Sequence, residues 1–208
     1  MPKLDQLPLE SPNLRAELFT KAHAAYFPTD DAVRQMWTWM PRVKGVSTVE
    51  GYIAHVLEMQ RTGQIVCFSL RLKSDGQFAG IIGFVDISAL HRQVRLGIAW
   101  HPTNMRLTTV YQEAELMMIQ RAYDWRAKRL TWHVDPRNKG AMRAMKWIGA
   151  TREARLRQYM RTADGGWADL VVFSMLRLEM KSAIEWMTAE LESVPSDACP
   201  MLAVQKGS

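Results

Sequence analysis

Asn138 opens the segment NKGAMRAMKWIGA, which follows an apolar run ending at Val134 and Asp135. An asparagine there can cap a helix through its side-chain oxygen. Ala141, Ala144, Met145 and Ile148 recur at helical spacing, and Gly149 provides a C-terminal stop. A helix that begins at a strand end presents unpaired N–H groups and the positive end of its dipole. Lys139, Arg143 and Lys146 add charge around that end. The chemistry that fits is the binding of phosphates on a nucleotide-bearing cofactor. Two histidines could handle protons, because an unperturbed imidazole titrates near neutrality. His133 lies in opposite phase to Trp132 on the run before the cap, and His101 precedes Pro102. The competing readings are a hydrogen-bonded structural histidine for His133 and a strand-terminating residue for His101.

The elements that would position these groups follow from periodicity. Residues 14–25, 30–40 and 48–60 show apolar side chains three and four apart and predict helices, with Asp30 and Ser47 or Thr48 as N-caps. Residues 65–72 and 78–87 predict an antiparallel hairpin about Ser74-Asp75-Gly76. Residues 94–100 alternate through Leu96, Ile98 and Trp100 as a third strand, and residues 102–110 read as a loop. A helix over 112–126 carries Ala114, Met117, Met118, Ala122 and Trp125 on one face. Residues 130–134 form a strand with Leu130, Trp132 and Val134 on one side, and the capped helix comes next. A last hairpin over 157–162 and 168–176 precedes a helix over 178–191 with Ile184 and Met187 apolar. Asp169 and Arg157 are expected to pair across that hairpin. The order predicts a mixed α/β fold, and the many Met and Trp residues fall mostly at core spacing.

Composition narrows the function. A chain of 208 residues, 48% apolar, can bury one sizeable core. No window approaches the roughly 18–20 apolar residues of a membrane span, and MPKLDQLPLESP lacks a signal-peptide core, so a cytoplasmic protein is expected. Cys67 and Cys199 alone supply neither a disulfide framework nor a zinc cluster, so no metal is expected. The net charge of +6 favours anionic partners, but the basic residues form no block resembling a nucleic-acid arm.

The order and spacing of several fragments carry a resemblance. They are Leu96-Gly97-Ile98-Ala99-Trp100-His101-Pro102, Thr108-Thr109-Val110-Tyr111-Gln112-Glu113-Ala114, and Asp135-Pro136-Arg137-Asn138 with Gly149-Ala150. Glu153, Leu156-Arg157, Asp164-Gly165 and Asp169 with Phe173-Ser174 complete the set. Together they resemble the GNAT superfamily of acetyl-CoA-dependent N-acetyltransferases, within it the RimJ/RimL-type branch that acetylates ribosomal-protein N-termini. The resemblance implies a GNAT fold over residues 1–178, a mostly antiparallel mixed sheet with splayed central strands flanked by helices. A C-terminal helix would span 179–194 and a flexible tail 195–208.

The same resemblance implies that the cofactor's pantetheine arm pairs with backbone at Ile98, Ala99 and Trp100. Its pyrophosphate would rest on Met105, Arg106, Leu107, Thr108, Thr109 and Val110. Asn138 would touch the arm, and Lys139 or Arg143 the outer phosphates. Glu113, at the start of the helix beside the cofactor loop, becomes the first candidate base, with helix-dipole complementation as its structural alternative. His133 becomes a candidate relay facing the acceptor cleft, and Trp37, Trp39 and Met40 candidate walls of it.

Four positions depart from the family pattern. Thr109 stands at an expected glycine, Ala141 and Met145 replace hydroxyl residues, and Arg95 occupies a place where an acidic residue is common. The implied activity is acetyl transfer to a primary amine, on a protein N-terminus or a small molecule, by direct attack. The alternative is a non-catalytic acyl-CoA-binding or regulatory protein of the same fold. The last helix and hairpin offer surfaces for a homodimer.

Overall fold

The computed structural model describes residues 4, 6, 8–27, 46, 48–102, 105, 108–162 and 165–193. The expected helix over 30–40 with Trp37, Trp39 and Met40, Arg106 and Leu107 of the cofactor loop, Cys199 and the tail 195–208 lie outside them.

The chain begins with β1 (Leu9–Glu10) and β2 (Leu14–Leu18), then a 3₁₀ turn (Lys21–Tyr26). This corrects the helix expected over 14–25. Leu14 and Ala16 are fully buried while Arg15 and Glu17 point outward and pair at 2.9 Å, which is a period of two. Apolar residues spaced by four also satisfy a period of two, and pairing with the sheet decides between them. At Thr20 the chain turns, with its backbone N–H 2.9 Å from His23 Nδ1.

Helix α1 (Val49–Arg61) starts where expected, Thr48 Oγ1 accepting from the Gly51 N–H at 3.1 Å. The predicted hairpin is β3 (Val66–Leu72) and β4 (Phe78–Ser88), followed by β5 (Gln93–Trp100). Helix α2 (Thr109–Asp124), β6 (Arg129–Val134), α3 (Lys139–Trp147), the hairpin β7 (Thr151–Arg161) and β8 (Trp167–Leu176), and α4 (Arg177–Ser193) complete the chain. Helix α2 begins three residues before the expected Gln112, so Thr109 and Val110 belong to its first turn and not to a loop.

Among the described residues the strands form one sheet in the order β1-β2-β3-β4-β5-β6-β8-β7. All neighbours are antiparallel except β5 and β6. On one face α2, α3 and α4 bury the main core, with Met117, Met118, Met145, Met180 and Met187 against Leu130, Trp132 and Phe173. The methionines fill the irregular gaps between helices and sheet, each buried side chain contributing about 1.5–3 kcal/mol. On the other face Tyr52, Ile53 and Val56 of α1 close a second core over Cys67, Ile81, Ile98 and Trp100.

The last hairpin contains a second correction. Residues 157–159 oppose the single residue Asp169, with Gln158 at φ +47° and its N–H on Asp169 Oδ1 at 2.8 Å. The shifted register brings Arg155, not Arg157, onto Asp169, with Nε donating to Oδ2 at 2.8 Å.

Candidate active site

The site is a gap in the sheet. Strands β5 and β6 pair in parallel only at Gln93 with Arg129, Val94 with Leu130 and Arg95 with Thr131. Beyond that point β5 stays on β4 and β6 stays on β8, so the two strands diverge.

The divergence begins at a bulge. Phe84 sits opposite Leu96, and the preceding residue Gly83 sits opposite Ile98, leaving Gly97 as the extra residue of β5. A side chain at Gly97 would force its neighbours to shift, since an ideal Cβ would lie 2.4 Å from Val85 Cγ2 and 2.8 Å from a terminal nitrogen of Arg95. The extra residue reverses the phase of the strand. Val94 and Leu96 enter the main core, whereas Ile98 and Trp100 enter the second core under α1. The simple alternation of Leu96, Ile98 and Trp100 expected from the sequence is therefore corrected by the bulge. Ala99 is exposed on the α2–α3 side of the gap.

Two helix N-termini point to the same side. Thr108, with ordinary extended backbone (φ −106°), precedes α2, and its hydroxyl donates to the Met105 carbonyl at 2.7 Å. Thr109 is helical, so no left-handed residue is needed where the family usually has glycine. Helix α2 also carries Gln112, whose side-chain amide is fully buried with no hydrogen-bond partner among the described residues. Asn138 caps α3, its Oδ1 accepting from the Ala141 N–H at 3.0 Å, and Gly149 closes that helix at φ +77°. The cap commits the Asn138 oxygen and leaves the amide nitrogen to reach a ligand. Lys139 and Arg143 are exposed beside it.

These features fit a cofactor with amide groups on an extended arm and an anionic end. The diverging β5 edge offers backbone to the arm, and the two N-termini offer N–H groups to the anions.

The proton-handling candidates separate. His133 lies on the α1 side of β6, half-buried, with the Tyr159 ring edge-on at 5.8 Å. Burial first, and then the nearby Arg95 guanidinium, hold its proton affinity below the ordinary value of 6.5, against a smaller opposing effect of Asp86. It is therefore neutral at pH 7. His101 is buried at the end of β5, with Nδ1 2.9 Å from the Ala79 carbonyl.

Glu113 faces neither histidine. Its carboxylate accepts from Ser11 Oγ at 2.5 Å, from Asn13 Nδ2 at 2.5 Å and from the Asn13 N–H at 3.2 Å. Those partners lie before β2, at the end of the sheet three strands away from β5.

One group escapes a reading of the sequence. Glu115 is buried between α2 and β6, accepting from Tyr111 Oη at 3.0 Å and from Trp132 Nε1 at 3.3 Å. Burial raises its pKa to about 7, the two hydrogen bonds opposing. The Tyr111 ring in turn meets His101 edge-on at 5.3 Å. A carboxylate at the i+4 position from a tyrosine on an otherwise apolar stripe is the available signal.

Comparison with known proteins identifies the family and the fold. Residues 13–151 match the family model described as Acetyltransferase (GNAT) domain. No curated protein matches the chain. A solved structure from T. thermophilus assigned as an acetyltransferase is similar at 25% identity and TM-score 0.75, over 88% of this chain and 96% of that one. The ribosomal-protein-S5-alanine acetyltransferase from Vibrio fischeri shares the fold at 16% identity and TM-score 0.67, over 82% and 97% of the two chains. The spermidine N-acetyltransferase from Vibrio cholerae, solved with CoA and spermine, does so at 11% identity and TM-score 0.69, over 81% and 98%.

Proposed function

The chain belongs to the GNAT acetyltransferase family, and on that premise we propose that it carries an acetyl group from acetyl-CoA to a primary amine by direct attack. In this reading the cofactor lies on the α2–α3 face and the amine arrives from the α1 face. The observation that carries it is the break between β5 and β6 at Gly97, which opens the sheet from one face to the other.

Acetyl-CoA, when bound, supplies a thioester carbonyl activated for attack. The backbone of Ile98, Ala99 and Trp100 holds the pantetheine amides as an added strand would, and an N–H of that stretch polarises the carbonyl. Met105, Thr108, Thr109 and Val110 would hold the pyrophosphate, as the resemblance implies also for Arg106 and Leu107, and the Asn138 amide nitrogen would donate to the arm. Lys139 and Arg143 neutralise the outer phosphates. His133 accepts the proton leaving the amine, because an imidazole held neutral is ready to take one at physiological pH. Glu113 is tied to Ser11 and Asn13 and serves the fold. The Cys67 thiol is buried, with its pKa pushed well up by burial, which favours direct transfer over a covalent intermediate.

Peptide N-termini and small amines are both eligible acceptors, as the two named enzymes of this fold differ in just that respect. The test is calorimetric titration with acetyl-CoA followed by thiol-release assays over amines and peptides. Binding that weakens in Asn138→Ala, together with transfer to an amine, is expected. No binding at concentrations near a millimolar refutes the reading.

A further inference from the structure

Arg95 stands at the throat of the gap, and its surroundings specify a ligand. Its neighbours Val94 and Leu96 enter the main core, so its side chain projects to the opposite face. There it sits beside Val85, its partner on β4, which packs on the second core. The guanidinium lies across the bulge, a terminal nitrogen 2.8 Å from where a Cβ at position 97 would sit. Arg95 also pairs with Thr131 in the last rung of the β5–β6 ladder, so the cation marks the point where the gap begins.

Its one partner among the described residues is Asp86, whose Oδ2 accepts from Nε at 2.7 Å. The pair is asymmetric. The Asp86 side chain is 65% exposed and that of Arg95 only 22%, so the anion faces water while the cation is mostly covered, over Gly97 at the end of the β5–β6 ladder. Asp86 takes φ +50° to hold that position, a conformation Asp tolerates better than most residues. Bonding through Nε leaves the terminal fork of the guanidinium, with four N–H donors, without a partner among the described residues. Such a fork matches a carboxylate in bidentate geometry and repels ammonium groups. His133, influenced by Arg95, faces the same side, so the fork and the proton acceptor of the proposed reaction address one incoming molecule.

We propose that Arg95 reads a carboxylate on the acceptor, so that the preferred substrates are amines carrying an anionic group near the reacting nitrogen, and polyamines are rejected. The inference rests on the reading of the α1 face as the acceptor side. The carboxylate has two sources, an acidic side chain following a peptide N-terminus or the α-carboxylate of a free amino acid. The cation suits either and excludes a ligand that offers only ammonium groups.

The experiment compares transfer to two tetrapeptides that differ in a Glu or a Lys at the second residue, to free glutamate and to spermidine. Each probe is tested with the full chain and with R95Q and R95K. The expected result is at least a tenfold preference in kcat/KM for the glutamate peptide over the lysine peptide, the size of one charge-assisted hydrogen bond. That ratio should fall to near one in R95Q and be partly kept in R95K. Faster transfer to free glutamate than to the peptide assigns the carboxylate to an amino acid, and the reverse assigns it to a peptide side chain. Preferred transfer to spermidine, or a ratio unchanged in R95Q, overturns the proposal. The same probes are titrated against the CoA-saturated protein, which requires no turnover. If no probe is acetylated, a binding preference for the glutamate peptide that R95Q abolishes upholds the proposal and leaves the transfer reading to fall alone. Equal binding of both peptides overturns the proposal.

Discussion

Replacing Glu115 with glutamine should stabilise the protein most at alkaline pH and by only about 1 kcal/mol in mild acid. The carboxyl is enclosed by α2 and β6, where Tyr111 and Trp132 donate to it but no cation among the described residues does. Burial raises its pKa from 4.5 to about 7, so the native state keeps a proton that the unfolded chain has already released. Stability therefore declines as pH rises from about 4.5 through about 7, and the full penalty is present above that range. A tenfold change in proton affinity is worth about 1.4 kcal/mol, which puts the cost near 1 kcal/mol at pH 5 and near 3 kcal/mol at pH 8.

A glutamine carries no charge to desolvate and still offers an oxygen to Trp132 and an amide to Tyr111. Urea unfolding followed by tryptophan fluorescence, for the wild type and E115Q at pH 5, 6, 7 and 8, gives the difference directly. Other titrating groups act equally on both chains and cancel. His23 and His133, both held below 6.5, are such groups within this window, whereas Glu153, held at about 2 by Arg129 and Ser174, changes its contribution below it. The difference should widen by about 2 kcal/mol or more between pH 5 and pH 8, in favour of E115Q. Parallel stability curves would show that Glu115 is not held protonated, and the argument from burial would fail.

Three further outcomes are expected. Because burial and Arg95 keep the His133 pKa below 6.5, kcat/KM should fall as pH drops through a midpoint under 6.5. His133→Gln should remove that limb and lower kcat about 10²–10⁴-fold; a limb that survives excludes His133 as the base. Glu113→Gln should cost about 1–3 kcal/mol in unfolding measurements, since three donors lose their charged acceptor, while the pH–rate profile keeps its shape. Lost activity at unchanged stability would instead restore Glu113 as the base. Gly97→Ala should cost about 1–3 kcal/mol and weaken acetyl-CoA binding in calorimetry, because the new methyl meets Val85 and Arg95 at the bulge. Unaltered binding would separate the bulge from the cofactor cleft.

What can be read from the sequence is what local periodicity controls. Thr48 and Asn138 announce their helices, Ser74-Asp75-Gly76 its hairpin, and the stripe from Ala114 to Trp125 its buried face. Each of these rests on neighbours within a turn or two of chain. Leu14 to Leu18 reads as helix because a spacing of four serves a helix and a strand alike, and only β3, more than forty residues on, selects the strand. The hydrogen bonds of Glu113 are hidden for the same reason, as its partners lie about a hundred residues earlier. Arg155 displaces Arg157 because an extra-residue bulge changes which side chains meet, and no local pattern encodes it.

Gly97 unites the legible and the illegible parts of the site. Its place in Leu96-Gly97-Ile98-Ala99-Trp100 supports the resemblance, yet the alternation around it suggests an uninterrupted strand. In the folded chain the glycine interrupts that strand, and the interruption does three things. It turns Ile98 and Trp100 toward α1, it leaves Ala99 open toward the two helix N-termini, and it makes room for the guanidinium of Arg95. With an alanine there, the Arg95 fork would be pushed off the bulge. With an acidic residue at position 95, the same gap would favour ammonium groups. The glycine thus fixes where the acceptor is read, and the charge at the preceding position but one fixes what is read. Acceptor choice can then change by one substitution while the cofactor side of the fold stays as it is.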